Sequence, residues 1–406
     1  MKKLSLLTVL LCILMFSCTK ADKEIDQSPQ IEKEDQSVYQ YIKKLGYRDS
    51  EIKDIGDEYL VDGDLLFAKN SKPNFSVFQE GPKTKQYGTN YFVGYNEQPN
   101  LTVRIDPSMS AYTSEIAGAI AIWNNVPNCR VNFTVTTATS QDILITNSNL
   151  GGGVCGAGYF PVNGRPGGLI RINISEIAGN SFDQRQRTIA HELGHTIGFR
   201  HTNWQYNGEP EVGTLPDNGA KFNAYQLLGT PTGGDANSLM NGGECGIGAT
   251  SLSSYDIVAL QFMYPENPPM AGTIPIFRYF HDQTGGALLA EHFFVNDYNA
   301  LGYGTSGYVF EGIGFFAFAT QQPGTVPVYR YYNAGLNDHY YTPVLGSYSG
   351  YVYERIEFYA YTSSVNGAQP LYQYFNSGVR DHHYTKNPYE SSMDGYTFEL
   401  IPFYVY

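Results

Sequence analysis

His191-Glu192-Leu193-Gly194-His195-Thr196-Ile197-Gly198-Phe199-Arg200-His201 is the stretch on which the fold turns. Within a helix predicted over 184–199, His191 and His195 stand one turn apart and project from the same face. Two imidazoles so placed can share one tetrahedral zinc. Gly198 can take the backbone angle that ends the helix and swings the chain back. That return brings His201 round as a third ligand. A catalytic zinc keeps its fourth position for water and lowers that water's pKa to about 7. Glu192, beside the first ligand, is placed to take the proton and later pass it to a leaving amine. A helix with merely satisfied surface histidines explains neither Gly198 nor His201.

Three histidines, a glutamate and a glycine at these spacings match the metzincin signature. Met240, in Ser238-Leu239-Met240-Asn241, resembles the Met-turn that lies beneath the metal in such proteins. More narrowly, residues 36–265 resemble the dual-action HEIGH metallopeptidases, a metzincin family found in bacterial lipoproteins. The shared residues are 191–202, Ser238 to Gly242, and Ser253-Ser254-Tyr255-Asp256. The middle residue of the family motif is Ile by name and Leu193 here, both apolar. The resemblance implies endopeptidase activity on protein or peptide substrates, zinc on His191, His195 and His201, and Glu192 as general base. Relatives sometimes place a Tyr after the Met-turn; Asn241 stands there instead, and Tyr255 is expected to pack against the core. From relatives too comes the expectation that Leu144 and Thr146 lie on the edge strand to which substrate adds.

Around the motif, 86–265 reads as an α+β, metzincin-like domain with a mixed sheet and an active-site helix. Strands are predicted over 101–105, 131–137, 142–146 and 169–174, and helices over 110–124 and 253–263. The glycine-rich run 151–158 reads as loop. Residues 36–85 read as a prodomain: apolar residues at helical spacing, then strands on both sides of Asp62-Gly63-Asp64. This region holds no cysteine, so a thiolate plug is excluded. Val61-Asp62-Gly63-Asp64 resembles the segment by which astacin prodomains place a carboxylate on zinc, which makes Asp64 a candidate latency switch. A plain Asp-Gly hairpin turn is the favoured reading.

Past a proline-rich linker, 266–270, residues 271–406 repeat three times. Pro275, Pro327 and Pro370 each open an aromatic stretch, followed by Glu291-His292, Asp338-His339 or Asp381-His382. Four strands per unit give twelve, the count of a β-trefoil, so an all-β repeat domain is expected. The rings are mainly packing. His292, His339 and His382 are candidate ligand positions, for instance for a glycan, although structural corners are the favoured role.

Composition agrees with this division. The chain has 406 residues and a net charge of −13, with 34 Tyr, 23 Phe and 2 Trp. Of these rings, 33 lie in 271–406. The acidic balance and the lack of a basic tract argue against nucleic acid. Residues 1–18 read as a lipoprotein signal: Lys2-Lys3, an apolar run too short to span a bilayer, then Leu14-Met15-Phe16-Ser17-Cys18. Cys18 is the candidate lipidation site and 19–35 a charged tether. The expected location is therefore the outer membrane or cell surface, held by the lipid alone, with release to the medium as a variant. Cys129, Cys155 and Cys245 remain, and the sequence leaves their pairing open. The expectation is a secreted, lipid-anchored zinc endopeptidase. The rival is a surface adhesin or carbohydrate-binding lipoprotein that acts through the repeats.

Overall fold

Ser181 opens the motif helix by accepting the Gln184 amide, and Gly198, at φ +97°, closes it. The computed structural model describes residues 38–39, 42, 49, 52–61, 65–69, 87–89, 91–204, 212–214, 221–223, 225–227, 230, 235–282, 290–388 and 395–406. Cys18, Asp64 and the stretch 1–18 expected to be a lipoprotein signal lie outside these residues.

The N-terminal part carries twelve described strands. These are β1 (Ile52–Asp54), β2 (Glu58–Val61), β3 (Leu65–Ala68), β4 (Tyr87–Gly88), β5 (Leu101–Ile105), β6 (Phe133–Thr136), β7 (Ile143–Asn147), β8 (Gly156–Gly158), β9 (Leu169–Ile172), β10 (Val212–Thr214), β11 (Lys221–Asn223) and β12 (Tyr225–Gln226). The helices given in full by the described residues are α1 (Thr113–Asn124), α2 (Ile174–Ile177), α3 (Phe182–Thr196) and α4 (Ser254–Met263). One mixed sheet runs β1-β2-β3-β8-β9-β7-β5-β6. Strands β6, β5, β7 and β9 are parallel, and β8 is antiparallel to β9. Alternate residues Leu101, Val103, Ile143, Ile145, Ile170 and Ile172 are buried. They share a core with Ile116, Ala119 and Trp123 of α1 and Ile189, Ala190 and Leu193 of α3. Each Leu, Ile or Val among them contributes about 1.5–3 kcal/mol on burial.

Two expectations are corrected here. Gly156–Gly158 is a strand, not loop. Its glycines are required because Glu192 lies against them: a Cβ at Gly156 would stand 2.6 Å from Glu192 Oε1. Leu144 and Thr146 lie on β7, which is interior, between β5 and β9. The antiparallel strand nearest the motif helix is β8.

The repeats form nine described strands, β13 (Thr273–Asp282), β14 (Ala290–Val295), β15 (Tyr308–Phe318), β16 (Thr325–Asn333), β17 (Asp338–Thr342), β18 (Val352–Tyr361), β19 (Gln369–Asn376), β20 (Asp381–Thr385) and β21 (Thr397–Val405). In each unit the first strand pairs antiparallel with the other two. The two segments read as separate third and fourth strands are one long strand, kept continuous by register shifts along its pairing with the first. Among the described residues there are thus three strands per unit rather than four, and the twelve-strand count behind the trefoil expectation is not met. The units close on one another through Phe318 with Tyr359, Tyr361 with Tyr404, and the Phe316–Tyr406 backbone pair at 2.7 and 2.9 Å. Their core is layered by threes: Ile276, Val328 and Leu371, then Phe315, Phe358 and Phe403, then Phe294, Tyr341 and Tyr384. The first unit also shares the protease core, through Phe277, Tyr279, Tyr298 and Phe310.

Candidate metal centre

The end of α3 is a Schellman turn: the Phe199 amide donates to Gly194 O (3.0 Å) and the Gly198 amide to His195 O (3.0 Å). A side chain at Gly198 would press on Tyr91 O at 2.9 Å, in a φ region L-residues disfavour. The turn delivers His201 to the first two histidines. His191 Nε2 lies 3.1 Å from His195 Nε2 and 3.2 Å from His201 Nε2, and all three rings are buried.

Second contacts settle the tautomers. His191 Nδ1 donates to Leu239 O (2.9 Å) and His195 Nδ1 to Phe199 O (2.8 Å). Carbonyls only accept, so Nε2 of both rings carries a lone pair. Buried lone pairs converging at this distance call for a cation. A tetrahedral zinc, with Zn–N of about 2.0–2.1 Å, sets its ligand nitrogens about 3.3–3.4 Å apart. The donor set and its spacing fit that ion.

Met240 is fully buried and lies against Gly194, where a Cβ would run into its sulfur. The glycine between the two helical histidines is therefore needed for the methionine floor. Asp256 holds the Met-turn. It accepts from Ser238 Oγ (2.6 Å), Leu239 N (2.8 Å) and Ser253 N (2.9 Å), the last as part of the α4 capping box. Burial pushes its carboxyl up, and those donors pull against it. Arg187, one turn before His191, reaches Asn241 O (2.7 Å) and Glu244 Oε2 (3.2 Å). Thr202 N donates to Met240 O (2.9 Å). Sequence reasoning assigned no role to Arg187 or Asp256; a charged residue one turn from a metal ligand and a Ser-x-x-Asp helix start were the available signals.

Glu192 is buried at the same centre, with Gly156 and Gly158 of β8 packed over it. Cys155, just before β8, is bonded to Cys245, beyond the Met-turn, and among the described residues Cys129 is a free thiol. Burial pushes the Cys129 thiol up to about 12. Tyr255 is 40% exposed on α4, not core-packed as expected, because it follows the cap on the solvent side.

The repeat histidines are placed elsewhere. Oxygens of Glu291, Asp338 and Asp381 lie within 4.8 Å of one another, all buried. Each accepts from the histidine of another unit: Glu291 from His339 (2.6 Å), Asp338 from His382 (2.6 Å) and Asp381 from His292 (2.5 Å). Like charges this close oppose one another's ionisation. Burial, with Asp381 and Asp338 nearby, holds Glu291 well above the carboxylate range. Burial opposes charge on Asp381 too, yet His292 holds it below that range. Nδ1 of each histidine is thereby committed to a ring that joins the units.

A family model for the dual-action HEIGH metallo-peptidase matches residues 60–264. A second, for a domain of unknown function, matches 253–346 and 291–406. No curated protein matches the chain. Solved structures similar to it include a myroilysin structure, 15% identical, covering 44% of this chain and 97% of that one, with TM-score 0.30. High choriolytic enzyme 1, a hatching enzyme zinc-protease from Oryzias latipes (medaka fish), is 19% identical over 43% of this chain and 93% of its own, with TM-score 0.29. A crystal structure of myroilysin is 14% identical over 48% and 92%, with TM-score 0.28.

Proposed function

We propose the reaction from one premise: this chain belongs to the dual-action HEIGH metallo-peptidase family and is a zinc metallopeptidase. It cuts internal peptide bonds of extracellular proteins. His191, His195 and His201 hold the zinc. Bound there, zinc supplies Lewis-acid chemistry that polarises a peptide carbonyl and acidifies water. Glu192 takes the proton of the attacking water on its carboxylate and returns it to the leaving amine. The observation that carries this reading is the convergence of three Nε2 atoms beside a buried glutamate that follows the first of them on one helix. The flank of β8 away from β9, once β3 leaves it, supplies main-chain groups for an extended substrate. In Glu192→Gln, casein hydrolysis should fall by 10²-fold or more with zinc content unchanged. Undiminished cleavage by that variant refutes the mechanism.

The region 36–85 acts as a latency segment. Support comes from β3, whose Leu65 pairs with Gly158 of β8, so this segment occupies the flank that substrate requires. Glu58 of β2 anchors it, accepting from Tyr159 and from Arg171 of β9. Asp64 precedes Leu65 in the chain and is the residue to test. Full-length Asp64→Ala and Glu58→Gln should be more active than the parent; equal activity removes the latency role. The leader reading, with lipid on Cys18 and a cell-surface location, is tested by mass spectrometry of the purified protein.

A further inference from the structure

The threefold repeat makes two sets of equivalent positions at the junctions between units. One set follows the short strands: Asn296 after β14, Pro343 after β17 and Lys386 after β20. The other precedes the layered phenylalanines: Gly314, Glu357 and Pro402, before Phe315, Phe358 and Phe403. Where the first unit meets the second, the two sets touch through a charge. The buried Glu357 carboxylate accepts the Asn296 amide (2.8 Å), Arg330 Nη1 (2.8 Å) and Arg355 Nε (2.8 Å). Between the second unit and the third the same positions hold Pro343 and Pro402, and neither carries charge.

The junction of the third unit with the first is unlike both. Its pair is Lys386 and Gly314, and the two line one cavity of about 320 Å³. Gly314 leaves empty the place where Glu357 puts its acid, and Lys386 brings a cation to it. No carboxylate lines the cavity. Burial lowers the Lys386 amine to about 8 with no neighbouring charge acting on it, and the amine has no hydrogen-bond or ion-pair partner among the described residues. A cation held this way is costly unless an anion joins it. The walls are apolar: Phe315 and Phe316 are buried, while Phe262 and Pro269 are exposed and mark the side from which a ligand enters. The volume is about twice the ~150 Å³ that accommodates benzene in an apolar cavity.

We propose that this cavity is a binding site for a small monocarboxylate with an apolar body, such as an aryl or short alkyl acid. Its carboxylate takes at Lys386 the place that Glu357 takes at the first junction, and its body lies against Phe315 and Phe316. None of the lining residues belongs to the zinc centre, so the site is independent of the peptidase reading.

The test titrates the full chain with phenylacetate by calorimetry, against phenylacetamide, which keeps the ring and lacks the charge. Saturable binding of the acid is expected, weakened by about tenfold or more for the amide and in Lys386→Met. Gly314→Glu supplies the missing acid from within and should abolish binding. On the unsubstituted chain, mass spectrometry should show Lys386 shielded from acetic anhydride by the acid and not by the amide, a readout that needs no variant to fold. Equal binding of acid and amide, full affinity in Lys386→Met, or acetylation of Lys386 unchanged by saturating acid overturns the proposal. A carboxylate also ligates zinc, so binding that disappears with a chelator while Lys386 stays unshielded places the probe at the metal centre and overturns it equally.

Discussion

Asp256 and His191 are joined through one residue: the Asp256 carboxylate accepts the Leu239 amide at 2.8 Å, and the Leu239 carbonyl accepts His191 Nδ1–H at 2.9 Å. A buried acid on α4 thereby orients the first imidazole on α3. Outer-shell partners of metal ligands are typically worth 10–100-fold in metal affinity. Asp256→Ala should raise the zinc dissociation constant by about that factor, read by competition with a chromogenic chelator. Unchanged affinity would mean that the Met-turn holds its own geometry.

Gly156 tests how closely Glu192 is held. An alanine there puts a methyl 2.6 Å from Glu192 Oε1, so the carboxylate must move. Displacements of about 1 Å at a reacting group can cost 10²-fold. Gly156→Ala should lower kcat by about 10-fold or more and leave zinc content intact. Loss of zinc together with kcat would instead indicate collapse of the whole centre.

The Cys155–Cys245 bond closes a loop with a sequence separation of 90 and ties β8 to the Met-turn region. Replacing both cysteines by serine should cost about 2–5 kcal/mol. Denaturant unfolding measures the loss. Cys129, held as a thiol by burial, should alkylate slowly at pH 8 until the chain is unfolded.

The acid–histidine ring predicts a local penalty. His382→Ala removes the Nδ1 donor from Asp338, which keeps the Tyr351 hydroxyl and the residue-382 amide, and should cost about 1–3 kcal/mol. A loss below about 1 kcal/mol in denaturant unfolding would show the ring to be dispensable.

Lys386 lines a cavity of about 320 Å³ with Phe262, Pro268 and Phe315, and burial lowers its amine from 10.5 to about 8. Between pH 8 and 10.5 the folded amine is neutral while the unfolded one is still protonated, so the unfolded chain binds more protons. Stability therefore rises with pH across that window. Lys386→Met should be more stable than the parent at pH 7, by about 1–2 kcal/mol, with the difference shrinking toward pH 10.5. Thermal unfolding at both pH values checks it.

The sequence by itself determined what rests on short-range spacing. His191, Glu192, His195, Gly198 and His201 lie within eleven residues, so helical geometry and one left-handed turn suffice to predict their convergence. The 101–105 strand, the α4 start and the threefold repeat were legible for the same reason, since periodicity and capping are local. Only the tertiary structure decided what depends on neighbours distant in sequence. Gly156–Gly158 looks like loop because its strand character comes from β9 and from the helix pressed on its glycines. β7 lies inside the sheet between β5 and β9, and β8 between β9 and β3, because sheet order is set by long-range pairing. Asp256 acts on His191 from 65 residues away, through a backbone group that no side-chain pattern reveals. Three similar repeats differ in exposure because the first shares the protease core. Burial is a property of the assembled chain, and it leaves Phe310 covered and Phe398 open.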